Sequence, residues 1–243
     1  MCTVSYMPTK SGFILTSSRD ESKVRKTLPP ATYHLHGQDL VFPKDILAGG
    51  TWIAASERGQ VACLLNGAFD KFESKDTYVV SRGQVLLEYF NYQNASAFIK
   101  KLDCSQVAPF TLLMFDSSNV LNIHQLRWDG DQKYIENINP NVPKLWASAT
   151  LYGKTQRENR KMWFEQWIKK KSIIDGDYLR SFHTSKHTDD VQNDIVMQRD
   201  NGLQTVSVTQ VQYHAGQLDM QYHDLISGKD SFINIPLCRQ VLS

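Results

Sequence analysis

MCTVSYMPTKSGFILTSSRDE, residues 1–21, opens with two short β-prone runs, Cys2 to Tyr6 and Phe13 to Thr16, broken by Pro8 and Gly12. Two such runs around a breaker predict an N-terminal hairpin. Residues 17 to 30 are polar and charged and end in Pro29-Pro30, so they read as loop. Gly49-Gly50 introduces Thr51 to Ser56, a turn at Glu57-Arg58-Gly59 and the run Gln60 to Asn66, the clearest hairpin of the first half.

Further along, Val85, Leu86, Tyr89 and Phe90, then Phe98, Ile99 and Leu102, recur at helical spacing within residues 81–102. Asn94 suits the N-cap of the second piece. Phe110 to Asp116, Val120 to Arg127 and Lys133 to Ile138 predict a meander, with turns at Ser117-Ser118-Asn119 and Asp129-Gly130. Trp146 to Thr150 reads as a short strand. Thr155 to Lys171 predicts a helix opened by a Thr155-x-x-Glu158 capping box. Its apolar face is Met162, Trp163, Phe164, Trp167 and Ile168, and Lys169-Lys170-Lys171 suits its C-terminal dipole end.

The last third is β-rich. Val206 and Val208 alternate, and Val211 and Tyr213 do so in opposite phase, which predicts a bulge near Thr209-Gln210. Ala215-Gly216 turns the chain into Leu218, Met220 and Tyr222, and Ser231 to Ile235 is a further strand. The sum is roughly eight to eleven hairpin-connected strands with three or four helices, an α+β layered domain. No linker divides residues 1–243, so one domain is expected.

Composition narrows the function. Twenty-seven basic against 25 acidic residues give +2, which excludes an electrostatic footprint for nucleic acid. Mean hydropathy is −0.40, and no apolar run approaches the ~18 residues of a membrane span. The start has no basic and apolar segments of a secretory signal. Cysteines 2, 63, 104 and 238 form no C-x-x-C pair. Zinc is not expected, and reduced thiols in a cytoplasmic protein are.

Cys2 is the residue with the most chemistry. Removal of Met1 would place a thiol and an α-amine, pKa near 7.7–8.0, on one residue, so the amine can serve as base for its own side chain. Ser18-Arg19-Asp20-Glu21 returns beside it if the first two runs pair. Arg19 can stabilise a thiolate or bind a carboxylate, and Asp20 can orient the amine. Asn66, at a strand end, can donate to an oxyanion. His183-x-x-x-His187 and His34-x-His36 are metal-like spacings that read better as surface histidines, and the tryptophans read as core. No P-loop, G-x-G-x-x-G or G-x-S-x-G motif occurs.

The sequence resembles the NRDE family, the relatives of Transport and Golgi organisation protein 2. Five ordered segments carry the resemblance: Met1-Cys2-Thr3-Val4, Ser18-Arg19-Asp20-Glu21, Leu47 to Ile53, Val61 to Asn66, and Ser148-Ala149-Thr150-Leu151-Tyr152 leading into the Trp163 helix. The resemblance implies a four-layer αββα sandwich of the N-terminal nucleophile hydrolase type, two stacked antiparallel sheets covered by helices. By analogy with choloylglycine hydrolases and penicillin V acylases, Cys2 is the nucleophile, Arg19 and Asp20 its partners and Asn66 an oxyanion donor. Glu21, Trp52 and Ser148 would line the ligand cleft. The chain departs from the pattern with Ser18 at the first motif position and Ala147-Ser148 where acylases place a second asparagine. Val191 to Asp194 stands where many relatives have a late arginine before the expected strand at Ile195.

Two functions follow from the resemblance. One is an N-terminal-cysteine amidohydrolase acting on a small-molecule, non-peptide C–N amide. The other is a non-catalytic protein that binds haem or another hydrophobic acyl or lipid ligand, with Cys2 or a histidine such as His34 as axial contact. Neither calls for a metal or a resident cofactor.

Overall fold

The computed structural model describes residues 3–117 and 120–238. Cys2 and the Ser118-Asn119 part of an expected turn lie outside the described residues. From the N-terminus, β1 (Thr3–Thr9) and β2 (Gly12–Ser22) form a hairpin, followed by β3 (Thr27–Leu35), β4 (Gln38–Asp45), β5 (Ile53–Ser56) and β6 (Gln60–Asn66). Helices α1 (Arg82–Glu88) and α2 (Ala95–Lys101) flank a 3₁₀ turn at Tyr89–Asn91. Next come β7 (Phe110–Asp116), β8 (Asn122–Trp128), β9 (Lys133–Ile138) and β10 (Lys144–Ala147). Helices α3 (Lys154–Ile168) and α4 (Gly176–Thr184) precede β11 (Leu203–His214), β12 (Gln217–Asp224) and β13 (Asp230–Ile235).

The strands make two antiparallel sheets, in the orders β10-β1-β2-β11-β12-β13 and β3-β4-β5-β6-β7-β8-β9. Period-2 alternation sorts the side chains. Val4, Tyr6, Phe13 and Leu15 face the core between the sheets. There Phe13 and Tyr6 meet Phe115 of β7, with ring centroids 5.4 Å and 5.7 Å apart. Met7 and Ile14 face the other way and pack under α3 and α4 against Phe164, Leu179 and Phe182. Helix α1 packs on β5 and β6. The layers run helix, sheet, sheet, helix, as expected. Among the described residues no helix is long and apolar enough to cross a membrane.

Several local expectations are corrected. The described residues carry thirteen strands, because most of residues 17 to 30 lies in β2 and β3, with only 23–26 as loop, and because β4 was not expected. Ser17, Ser18, Arg19 and Asp20 are buried parts of β2, and Pro29-Pro30 lies inside the edge strand β3, at a register shift between Leu28 and Ala31. A polar run reads as solvated only when no partner covers it, and here β1, β11 and both neighbouring layers do. The strand expected at Trp146 to Thr150 is Lys144–Ala147. Helix α3 starts at Lys154 behind Gly153, with no side-chain cap, so the Thr155–Glu158 box does not form. The bulge lies between Thr205 and Ser207, not at Thr209-Gln210. Both faces of β11 are buried, so its apolar phase does not report its register. Ile195 is buried against α3 and α4 outside any strand. Asn94 does cap α2, accepting from the Ala97 N–H at 2.9 Å.

His183 is interior, not surface. It is fully buried on α4, with Nε2 2.7 Å from the Ser5 hydroxyl and Nδ1 2.8 Å from that of Ser18. One hydroxyl donates to the ring and the other accepts from it, which suits a neutral imidazole. Burial, helped by the nearby charges of Arg160 and His187, lowers its pKa from 6.5 to about 3. His187 is half-buried, with its ring stacked on Trp163.

Two predictions follow from this packing. The unfolded chain protonates His183 near 6.5 and the folded chain only near 3, so the unfolded state binds the extra proton between those values. Stability is therefore complete above pH 6.5 and falls as pH drops, by at most ~1.4 kcal/mol per unit from this group. Urea midpoints measured from pH 7 to pH 5 should fall in wild type and flatten in His183→Asn. A flat wild-type profile would refute neutral burial. Second, a Cβ on Gly83 would lie 2.7 Å from the Thr51 carbonyl oxygen. Alanine normally strengthens a helix by ~1 kcal/mol over glycine. Here Gly83→Ala should instead cost about 1–3 kcal/mol by urea titration. A gain would show that the segment before β5 does not depend on this close approach.

Candidate active site

Asp45, at the end of β4, organises the site. Its Oδ1 accepts the Ala48 N–H at 3.0 Å, and its backbone N–H donates to the Gly50 carbonyl at 2.9 Å, which folds the segment ahead of Trp52. Its Oδ2 receives Arg19 Nη2 at 2.6 Å and lies 2.8 Å from Arg25 Nε. Burial pushes the Asp45 carboxyl up, but the Ala48 N–H and the Arg25 and Arg19 guanidinium groups outweigh this and hold it below its ordinary 3.8. Trp52 is fixed by its carbonyl, which accepts from the Leu64 N–H at 2.8 Å, and its ring lies 4.8 Å from the Arg19 guanidinium carbon.

These residues border a cavity of about 490 Å³ closed on one side by the start of α1. Four expected site residues line it: Arg19, Glu21, Trp52 and Asn66. Arg25, Asp45 and Arg82 line it as well and were not expected. Arg25 pairs with Glu21 at 3.2 Å. Burial lowers the pKa of Arg82 to about 10, with Arg25 adding to the shift and Glu21 opposing it. Three guanidinium groups face two carboxylates, an excess of one positive charge. Arg19 is 3% exposed, and among the described residues its Nη1 has no hydrogen-bond partner, nor has the buried Nε1 of Trp52. Two buried donors on one cavity wall call for acceptors from a ligand.

Other expected residues lie elsewhere. Strand alternation turns Asp20 away from Arg19 to the helical side, where Tyr152 Oη donates to Oδ2 and Thr205 Oγ1 to Oδ1, both at 2.6 Å. Ser148 does not line the cavity; its hydroxyl donates to the Asn66 carbonyl at 2.7 Å and so holds the end of β6. The Asn66 side-chain amide makes no hydrogen bond among the described residues and is open to a ligand. Cys2 lies outside the described residues, and Thr3, paired with Ser18, is the first residue of β1. His34 is exposed on the edge strand, 2.9 Å from Asp39, and His36 adopts a left-handed turn with φ 54°. Among the described residues no group of three or more histidines, cysteines or carboxylates could hold a metal.

The described thiols are poor nucleophiles. Burial pushes Cys63 up to about 12, partly offset by a Ser17 hydrogen bond, and Cys104 up to about 11. Cys238 is raised by its hydrogen bond to Glu57. Sequence reading missed Asp45, Arg82 and Arg160, and read His183 as a surface residue, because their partners are remote in the chain. The Glu21–Arg25 spacing was the one visible signal.

No curated protein is significantly similar in sequence. Solved structures are similar in fold. A variant of conjugated bile acid hydrolase from Clostridium perfringens superposes with TM-score 0.61 at 8% identity, covering 96% of this chain and 92% of that one. The Caenorhabditis elegans ortholog of N-acylethanolamine-hydrolyzing acid amidase gives 0.56 at 11% identity, covering 88% and 93%. The fold is thus that of the N-terminal nucleophile hydrolases. The sequence model of Transport and Golgi organisation 2 matches residues 1–223, and the chain belongs to the Transport and Golgi organisation 2 family.

Proposed function

We propose that the chain is an N-terminal-cysteine amidohydrolase for a small acylated compound carrying an anionic group. The observation that carries this is the buried Arg19, which lines the cavity beside the first strand and whose Nη1 has no hydrogen-bond partner among the described residues. Thr3 pairs with Ser18, the neighbour of Arg19. The two superposed enzymes are named for hydrolysing conjugated bile acids and N-acylethanolamines, which supports an amide as substrate.

In this reading Met1 is removed and the α-amine of Cys2 takes the thiol proton. The thiolate attacks the amide carbonyl, the C–S bond forms, and the Asn66 amide donates to the oxyanion. The C–N bond then breaks, and the amine leaves with the proton. Water, deprotonated by the same α-amine, releases the acid from the thioester and restores the thiol. Arg19 and the Trp52 N–H hold the substrate's anionic group, and Asp45 fixes Arg19 by an ion pair the substrate does not need to break.

Intact mass establishes whether Met1 is removed, and its retention on active protein would sink self-activation. With N-acyl amino acids, conjugated bile salts and N-acylethanolamines as substrates, Cys2→Ala should lose turnover on the order of 10³-fold or more with an unchanged urea midpoint. Turnover retained in that variant would end the catalytic reading. Arg19→Lys keeps charge but loses the planar fork. It should raise KM about tenfold for the carboxylate-bearing substrates and leave KM for the neutral N-acylethanolamines in place. Equal losses for both classes would remove the anion-holding role.

A further inference from the structure

A second cavity, about 330 Å³, opens at the β10 edge of the sheet stack, under the first turns of α3. Its wall includes Arg127 from β8, Lys144 from β10, and Lys154, Arg157 and Lys161 from α3, with Glu158 the one carboxylate among the lining residues. Five cations on three elements therefore converge on one space. Their neutralisation is weak. Lys144 meets Glu136, Arg157 meets Asp70 and Lys161 meets Glu165, at 3.1, 3.8 and 3.9 Å, and each of those carboxylates is half or more exposed. Exposed pairs of this kind contribute little and are screened by salt.

Arg127 is the informative member. Its guanidinium lies 5.0 Å from the centre of the Phe69 ring, and its buried Nε has no hydrogen-bond partner among the described residues. Burial lowers its pKa, with Glu136 opposing and Arg157 adding to the shift. A buried guanidinium N–H with no acceptor is costly unless an anion supplies one. Ammonium groups hold phosphate as point charges, and a guanidinium fork pairs with phosphate or carboxylate alike. Donors arriving from β8, β10 and α3 suit a tetrahedral anion with several oxygens. The start of α3 adds its own positive end, uncapped by any side chain and with no acidic residue in its first turn.

We propose that the cavity between β8, β10 and the start of α3 is a binding site for the phosphoryl group of a small phosphorylated compound, held by Arg127, Lys144 and Lys154. The site is separate from the Arg19 cavity, and its binding does not depend on Cys2.

Calorimetric titration with inorganic phosphate and with a phosphate monoester such as glycerol 3-phosphate tests this, at constant ionic strength set by chloride, with acetate as the comparison anion. Saturable one-to-one binding is expected for both phosphates and not for acetate. Lys154→Met, at an exposed position that the core does not need, should weaken it about tenfold, and Arg127→Met at least as much. Lys170→Met, outside the cavity, should leave it unchanged. Phosphate binding no tighter than acetate, or equal in Lys154→Met and wild type, would overturn the proposal. If Arg127→Met fails to fold, Lys154→Met alone decides.

Discussion

A fully buried guanidinium, that of Arg160, ties together the elements on which the site depends. It lies on α3 and reaches under the first sheet. Nη1 donates to the Thr3 hydroxyl at 2.8 Å, and Nη2 to the carbonyls of Asn193 and Asp194. Its plane covers the Tyr152 ring, 3.7 Å from the centroid, and Tyr152 in turn donates to Asp20. Among the described residues its Nε has no hydrogen-bond partner, so the charge rests on the two Nη groups and the Tyr152 ring, and removing those partners costs several kcal/mol. The start of β1, the middle of β2, the turn before α3 and the segment around residue 194 are therefore held in one arrangement. An arginine does serve that last segment, but it arrives from α3 and not from the turn itself.

This anchoring explains how Ser18-Arg19-Asp20-Glu21 works. A strand delivers successive side chains to opposite faces. Ser18 and Asp20 go to the helical side, where His183, Tyr152 and Thr205 hold them. Arg19 and Glu21 go to the ligand cavity. Half of the motif is therefore structural support and half faces ligand. Serine at position 18 fits this division, because a hydroxyl both reaches the imidazole of His183 and can donate or accept there.

The sequence made much of the architecture legible where signals are local. Gly59 at φ 80° makes the turn of the β5–β6 hairpin, Asn94 caps its helix, and Ala215-Gly216 turns β11 into β12. It misled where burial comes from distant partners. Ser17 to Asp20 look solvated in isolation, yet β11, almost two hundred residues later, covers them. Arg19, Glu21, Trp52 and Asn66 were legible as site residues because they fall in recognisable motifs. Asp45 and Arg82 were not, since nothing in their neighbourhoods announces an arginine 26 residues away or a cavity behind a short helix.

The pairing of β2 with β11 also sets when the protein can be built. The seven-stranded sheet joins β3 to β9 in sequence order, so its contacts close almost as fast as the chain emerges. The six-stranded sheet cannot. Residues 12–22 wait for 203–214, and the loop to be closed spans most of the chain. Non-local pairing of this kind is slow to nucleate. On the ribosome, the strand bearing Arg19 keeps one edge unpaired until residues 203–214 emerge, so the site is completed long after its own strand has been made.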